Sequence, residues 1–180
     1  MKTKIIITAL FVLTLLLTGC LTFNTISYEI HLDDYGDGTV NVMVSDIRSD
    51  SFNQKELDED KKNLFDFLLN SDNFIQQMKE EGKFITNRAL MIEDGMLNGK
   101  VEYSFDDITN VEGIVYESPY YFLTVAPLDS ILSTNGQVMV SEDYKRIVWD
   151  NSIKVLKFKM FVSQTEGSSL TSMAQFYKEK

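Results

Sequence analysis

The chain has 180 residues, of which 44% are hydrophobic, and a formal net charge of -10 at pH 7. This length allows one domain with a sizeable core, and the negative charge argues against nucleic acid and against electrostatic docking on anionic lipid, because both would repel the chain. With Cys20 as the only cysteine and His31 as the only histidine, the chain cannot form an intramolecular disulfide and lacks the ligands of a zinc, copper or iron site. The sequence therefore predicts a domain without metal or cofactor.

The first twenty residues are typical of an export signal. Lys2 and Lys4 precede an apolar run over residues 5–17. The run is shorter than the roughly 20 residues that a membrane-spanning helix needs, and it has the length of the central region of a secretory signal. Its end is formed by Leu17, Thr18, Gly19 and Cys20.

These last four residues resemble the lipobox of bacterial lipoproteins. The resemblance implies that the Cys20 sulfur receives a diacylglycerol, that the chain is cut before Cys20, and that the new amine is acylated. Several acyl chains anchor a protein firmly, since each buried CH₂ contributes about 0.8 kcal/mol. The alternative is a buried cysteine near a cleaved signal. We expect a protein anchored by lipid on the extracytoplasmic side of a bacterial envelope, in the inner or the outer membrane.

The lipobox also predicts the domain organisation. Residues 1–19 are expected to be a cleaved signal peptide, residues 20–24 a short tether, and residues 25–180 a single domain.

Alternating residues begin directly after the tether and predict a β-hairpin. Thr25 to Leu32 alternate polar and apolar, a turn follows over Asp33 to Gly38, and the apolar face resumes at Val40. His31 lies on the polar face, where a solvated side chain is favoured over a proton-transfer role.

The turn contains three acidic residues, which raises the question of calcium. Asp33, Asp37 and Gly38 partly match the start of an EF-hand loop. However, Tyr35 stands where the loop needs an oxygen ligand, and Val44 stands where it needs a bidentate glutamate. We therefore expect a tight turn without metal.

The region that follows has helical periodicity. Asn53 and Glu56 form a capping box, Asn70 to Asp72 interrupt the pattern, and Gly82 ends it. The apolar stripe could be a partner groove or a membrane-surface face, but packing against a sheet is favoured. The stripe comprises Leu57, Leu64, Phe65, Leu68, Leu69, Phe74, Ile75 and Met78.

The remaining chain is predicted to be mostly β-strand. The fold class is α+β, a mostly antiparallel sheet of hairpin, helix, hairpin and meander, covered by one amphipathic helical region. The expected elements are strands at 84–92, 101–105, 111–116 and 120–125, a connection at 93–99, a helical turn at 127–133, a hairpin at Asn135-Gly136, a meander of strands at 138–140, 146–149 and 153–162, and a last helix at 170–177. This layout, from lipobox to strands, resembles LppM-type bacterial lipoproteins over roughly the first half of the mature chain, and the resemblance implies no site residue.

The functional evidence in the sequence is limited. No nucleophile elbow, phosphate loop or zinc-protease motif is present, so an enzyme would depend on carboxylates, and a carboxylate-based envelope hydrolase is the alternative function. Tyr116, Tyr120, Tyr121 and Phe122 surround Pro119 and could form a contact surface, although ordinary sheet and core positions are favoured. We expect a non-enzymatic lipoprotein that binds an envelope protein or a small apolar ligand.

Overall fold

The structure is a computed structural model that describes residues 21–161 and 170–178. The strands are β1 Leu21–Thr22, β2 Thr25–Leu32, β3 Gly38–Ser45, β4 Arg48–Ser49, β5 Lys83–Glu93, β6 Met96–Phe105, β7 Ile114–Glu117, β8 Tyr120–Val125, β9 Ser130–Thr134, β10 Gln137–Val140, β11 Lys145–Asp150, β12 Val155–Phe161 and β13 Thr171–Ser172. The helices are α1 Gln54–Lys61, a π-helix at Lys62–Leu68, α2 Asp72–Glu80, and 3₁₀ turns at Ile108–Asn110 and Met173–Phe176.

The strands form three antiparallel sheets. A six-stranded sheet has the order β5-β6-β3-β2-β12-β9, a four-stranded sheet the order β10-β11-β8-β7, and a small sheet the order β1-β4-β13. Helices cover part of the six-stranded sheet, so the predicted α+β class with mostly antiparallel pairing is confirmed.

The predicted first hairpin is confirmed. β2 and β3 pair from Thr25 opposite Ser45 to Leu32 opposite Gly38. The apolar residues of both strands share the inner face of the six-stranded sheet, where Ile30 and Val40 lie opposite each other and are fully buried. One face of the alternating pattern therefore contributes directly to the core.

The helical region also begins as predicted. The Asn53 side chain accepts a hydrogen bond from the N–H of Glu56, and the Glu56 carboxylate accepts one from the N–H of Phe52. Leu64, Phe74 and Met78 are buried against the sheet, so the stripe packs inward as expected. The middle segment is a π-helix, in which the N–H of Leu69 reaches the carbonyl of Leu64 at 3.1 Å.

The expected helical turn at 127–133 and the hairpin at Asn135-Gly136 are both wrong. Residues 130–134 form β9, which pairs with β12 in the six-stranded sheet, whereas β10 belongs to the four-stranded sheet. Asn135 and Gly136 therefore carry the chain from one sheet to the other. Asn135 accepts hydrogen bonds from Trp149 Nε1 and the N–H of Lys157, and a Cβ on Gly136 would lie only 2.7 Å from Trp149 Nε1.

The expected meander is also wrong in part. β10 and β11 do form a pair, but β11 then pairs with β8, and β12 pairs with β2 in the other sheet. This crossing places Trp149 of β11 between the two sheets, where it is buried and packs near Phe158 of β12.

Several further elements differ from the prediction. The strand expected at 111–116 begins only at Ile114, because a 3₁₀ turn at Ile108–Asn110 precedes it. The second hairpin turns at Asp94-Gly95, two residues with positive φ, so β6 begins at Met96 and not after residue 99. The last helix is replaced by β13 and a 3₁₀ turn whose Met173 is buried. Residues 21–24, expected to be tether, are packed, since Leu21 and Phe23 are buried. Among the described residues, no helix has the length and apolar character needed to cross a membrane.

Candidate ligand-binding cavity

The inner face of the six-stranded sheet has two different covers. The four-stranded sheet covers one part and closes a tightly filled core around Ile30, Phe105, Ile147, Trp149 and Leu156. The helical region covers the other part and leaves an apolar, partly open cavity of about 150 Å³ between helices and strands. This cavity is the candidate functional site.

The floor of the cavity is formed by neighbouring rows of side chains on the sheet. In one row Arg88, Val101, Val42 and Tyr28 lie side by side on β5, β6, β3 and β2. The next row brings Leu90, Gly99, Val44 and Ile26 into register in the same strand order. Because these rows are set by strand register, the floor is a rigid part of the fold.

The roof is formed by the π-helix and α2. Leu64, Leu68 and Leu69 contribute from the π-helix and its end, and Phe74 and Met78 from α2. The wider turn of a π-helix shifts the side chains that follow it relative to a regular α-helix, and such segments are frequent at functional sites.

Arg88 connects floor and roof. Its Nη1 donates hydrogen bonds to the carbonyl oxygens of Leu68 at 3.0 Å and Ser71 at 2.9 Å, and its guanidinium lies 6.0 Å from the Phe74 ring centre. These contacts hold the break between the π-helix and α2 over β5, the edge strand of the six-stranded sheet. Arg88 is therefore primarily a clamp on the roof.

A polar cluster adjoins the cavity on the side of the four-stranded sheet and reaches it through Glu112 and Tyr103. The Lys83 ammonium, buried at 6% exposure, donates to Glu112 Oε1 at 2.6 Å and to Glu81 Oε2 at 3.0 Å. The Tyr103 hydroxyl donates to Glu112 Oε2 at 3.3 Å. Glu112 lines the cavity together with Tyr28 and Tyr103, so an apolar space ends at a hydrogen-bonded carboxylate.

The pKa values of the Tyr28 and Tyr103 hydroxyls are both raised in this environment. Burial raises the pKa of Tyr28 well above its usual range, and the Glu112 carboxylate raises the pKa further. Burial and then Glu112 likewise raise the pKa of Tyr103. Both hydroxyls therefore stay protonated in the folded protein and act as hydrogen-bond donors.

The residues singled out from the sequence lie elsewhere. Asp33 accepts backbone hydrogen bonds from Tyr35 and Gly36 in an exposed turn, and its hydrogen bond with Asp37 lowers the pKa of the Asp33 carboxyl. His31 lies on the outer sheet face beside Glu29 at 2.9 Å. Nowhere in residues 21–161 and 170–178 do three or more histidine, cysteine, aspartate or glutamate side chains group as metal ligands. Leu17, Thr18, Gly19 and Cys20 lie outside the described residues.

The aromatic residues around Pro119 are divided between the two faces of the four-stranded sheet. Tyr116 and Tyr121 face inward as a pair with ring centres 4.8 Å apart, although Tyr116 stays 42% exposed. Tyr120 is 46% exposed on the outer face, where the Arg146 guanidinium lies 4.6 Å from the Phe122 ring centre. Tyr121 packs against the closed core, and none of these residues lines the cavity.

Sequence reasoning missed Lys83, Arg88 and Glu112. Lys83 and Arg88 interrupt the apolar face of a strand, and a charged residue on an inward-facing position is the signal that could have identified them. Glu112 lies in a connection, where no periodic pattern marks it.

Comparison with known proteins identifies no related protein. No family model, curated protein or solved structure matches the chain.

Proposed function

We propose that the protein is a lipid-anchored envelope lipoprotein that binds a small apolar molecule, or the apolar end of a larger one, without catalysis. The observation that carries this proposal is the cavity between the helical roof and the six-stranded sheet. A hydrophobic lining with a few polar groups at one place is the usual composition of a ligand pocket.

The volume of the cavity limits the ligand. Typical pockets for drug-sized ligands have about 300 to 1,000 Å³, whereas this cavity has about 150 Å³. An apolar cavity of about 150 Å³ is large enough for benzene or xenon. The ligand, or the part of it that enters, therefore has roughly the size of an aromatic ring.

The position of the cavity supports a ligand taken from the membrane. Leu21 lines the cavity, and Cys20 directly precedes it in the sequence. A lipid on Cys20 would hold the cavity close to the membrane surface, where apolar molecules are concentrated.

The hydrolase alternative has less support. Hydrolysis by a pair of carboxylates needs two of them on either side of the reacting bond. Among the described residues that line the cavity, Glu112 is the one carboxylate, and it is held by Lys83 and Tyr103.

Binding can be tested with fluorobenzene and the full-length lipoprotein in phosphatidylcholine nanodiscs. Val42 lines the cavity floor, so Val42→Phe should fill the space and abolish the protein-dependent broadening of the ¹⁹F signal. The control is Asn41→Phe, the same new side chain one residue earlier on the opposite face of β3. Equal broadening by both variants would overturn the proposed function.

The anchor can be tested separately by metabolic labelling with a radioactive fatty acid. Cys20→Ser should remove the label and leave the precursor uncut before residue 20, whereas Thr22→Ser should keep the label. Undiminished labelling of Cys20→Ser would contradict the lipobox assignment.

A further inference from the structure

The polar cluster around Lys83, which reaches the cavity through Glu112, has an acidic excess. Lys83 contributes one positive charge, while Glu81 and Glu112 each contribute a negative one, so the three side chains together carry one net negative charge. The Lys83 ammonium is buried at 6% exposure and is shared between both carboxylates. It therefore does not fully neutralise Glu112.

Glu112 retains capacity to accept another hydrogen bond. An ionised carboxylate has about four lone-pair sites on its two oxygens. Lys83 occupies one on Oε1 at 2.6 Å and Tyr103 one on Oε2 at 3.3 Å. The Tyr28 hydroxyl also hydrogen-bonds the carboxylate, so about one site remains for a further donor. The Glu112 side chain is 21% exposed and lines the cavity, so a ligand group can reach it.

The two cations on the cavity wall are already engaged. Lys100 Nζ lies 2.7 Å from Glu102 Oε1. Arg88 Nη1 donates to two main-chain carbonyl oxygens of the roof, those of Leu68 and Ser71. Replacing these contacts by a ligand carboxylate would release the break between the π-helix and α2. The cavity is therefore better suited to a donor than to an anion.

We propose that the cavity binds an amphipathic ligand whose apolar end lies between Leu68 and Val42 and whose head is a hydrogen-bond donor, best an ammonium group, that Glu112 accepts. This proposal rests on the proposed function, because it names the class of ligand that the same cavity takes. Charge-assisted hydrogen bonds between an ammonium and a carboxylate are stronger than neutral ones. A ligand carboxylate at the same place would face Glu112 and be repelled.

Three probes that share a fluorophenyl ring and differ in their polar group test this selectivity. They are 2-(4-fluorophenyl)ethylamine, 2-(4-fluorophenyl)ethanol and 4-fluorophenylacetate, titrated by ¹⁹F NMR into the full-length lipoprotein in phosphatidylcholine nanodiscs, with empty nanodiscs as the blank. We expect the amine to bind about tenfold or more tightly than the carboxylate, with the alcohol between them.

Two matched variants assign the selectivity to one side chain. Glu112→Gln should bring the ratio of amine to carboxylate affinity close to one. Glu81→Gln changes the other carboxylate that contacts Lys83, but Glu81 does not line the cavity, so this variant should keep the preference. The wild-type ratio remains a test by itself if Glu112→Gln fails to fold.

The outcomes separate this inference from the function on which it rests. Equal or tighter binding of the carboxylate, or an unchanged ratio in Glu112→Gln, would overturn the inference and leave the proposed function intact. The same holds if fluorobenzene binds in the cavity but none of the three probes does. If fluorobenzene does not bind either, the proposed function fails and this inference fails with it.

Discussion

Val40 and Val42 are two residues apart on the same strand and the same face, yet they have different surroundings. Val40 is 1% exposed and belongs to the core closed by the four-stranded sheet, whereas Val42 lines the cavity under the helices. A sheet packed on a sheet fills the space along its whole length, while helices with a π-segment and a break do not follow the strands closely. The difference shows that the nature of the cover decides where a cavity remains on the sheet face.

The largest effect is expected in the closed half. Trp149 is buried at 1% exposure and donates to Asn135 Oδ1 at 2.9 Å, so Trp149→Ala should lower the free energy of unfolding by about 3 to 5 kcal/mol. Leu68 is half-buried beside an existing space, and Leu68→Ala should cost only about 1 kcal/mol. Denaturant midpoints measure both. Equal losses would mean that the two halves are packed alike.

A smaller but more direct contrast comes from enlarging the two valines. Val40→Phe forces extra volume into a filled core and should destabilise by about 1 to 3 kcal/mol. Val42→Phe places the same side chain beside existing space and should cost less than about 1 kcal/mol of the free energy of unfolding. Chemical denaturation of the two variants side by side checks this. A loss for Val42→Phe as large as that for Val40→Phe would contradict the presence of usable space.

Tyr28 and Tyr103 lie where the two halves meet, and they predict a pH dependence of stability. Burial raises the pKa of both hydroxyls in the folded state, so above about pH 10 the unfolded chain loses protons that the folded protein keeps. The contribution of the two protonated hydroxyls to the free energy of unfolding is constant below about pH 10. It falls as the pH rises above about 10, by up to about 1.4 kcal/mol per pH unit for each tyrosine.

Tyr103→Phe should therefore reduce the alkaline loss of stability, measured by urea unfolding between pH 8 and 11. Tyr35→Phe, at a position that is 95% exposed, is the matched control. If Tyr103→Phe leaves the slope of the free energy of unfolding against pH unchanged, the Tyr103 hydroxyl is not shielded from solvent by the cavity wall.

The sequence predicts local features of this molecule well. Alternation over Thr25 to Leu32 gives the correct first hairpin, and the pair Asn53 and Glu56 gives the correct start of α1. Both depend on contacts within a few residues or on a single strand period. The apolar stripe likewise gives the side of the helical region that faces the sheet.

The sequence does not predict which sheet a strand joins. Asn135-Gly136 has the composition of a hairpin turn, but its glycine is needed because Trp149 approaches closely, and its asparagine connects Trp149 to β12. The cavity is also not encoded in any one segment. It arises from the fit between the helical roof and the sheet floor, and Glu112 reaches it from the connection between β6 and β7.

The central claim is that the helical half of the sheet face holds an apolar ligand while the other half stays closed. Methyl NMR of the full-length lipoprotein in phosphatidylcholine nanodiscs, titrated with benzene, tests it most directly. We expect chemical-shift changes at the methyl groups of Val42, Leu68 and Leu90, which line the cavity, and none at those of Val40 and Leu156, which are buried in the closed core. Unshifted methyl groups around the cavity, or equal shifts in both halves, would contradict the account.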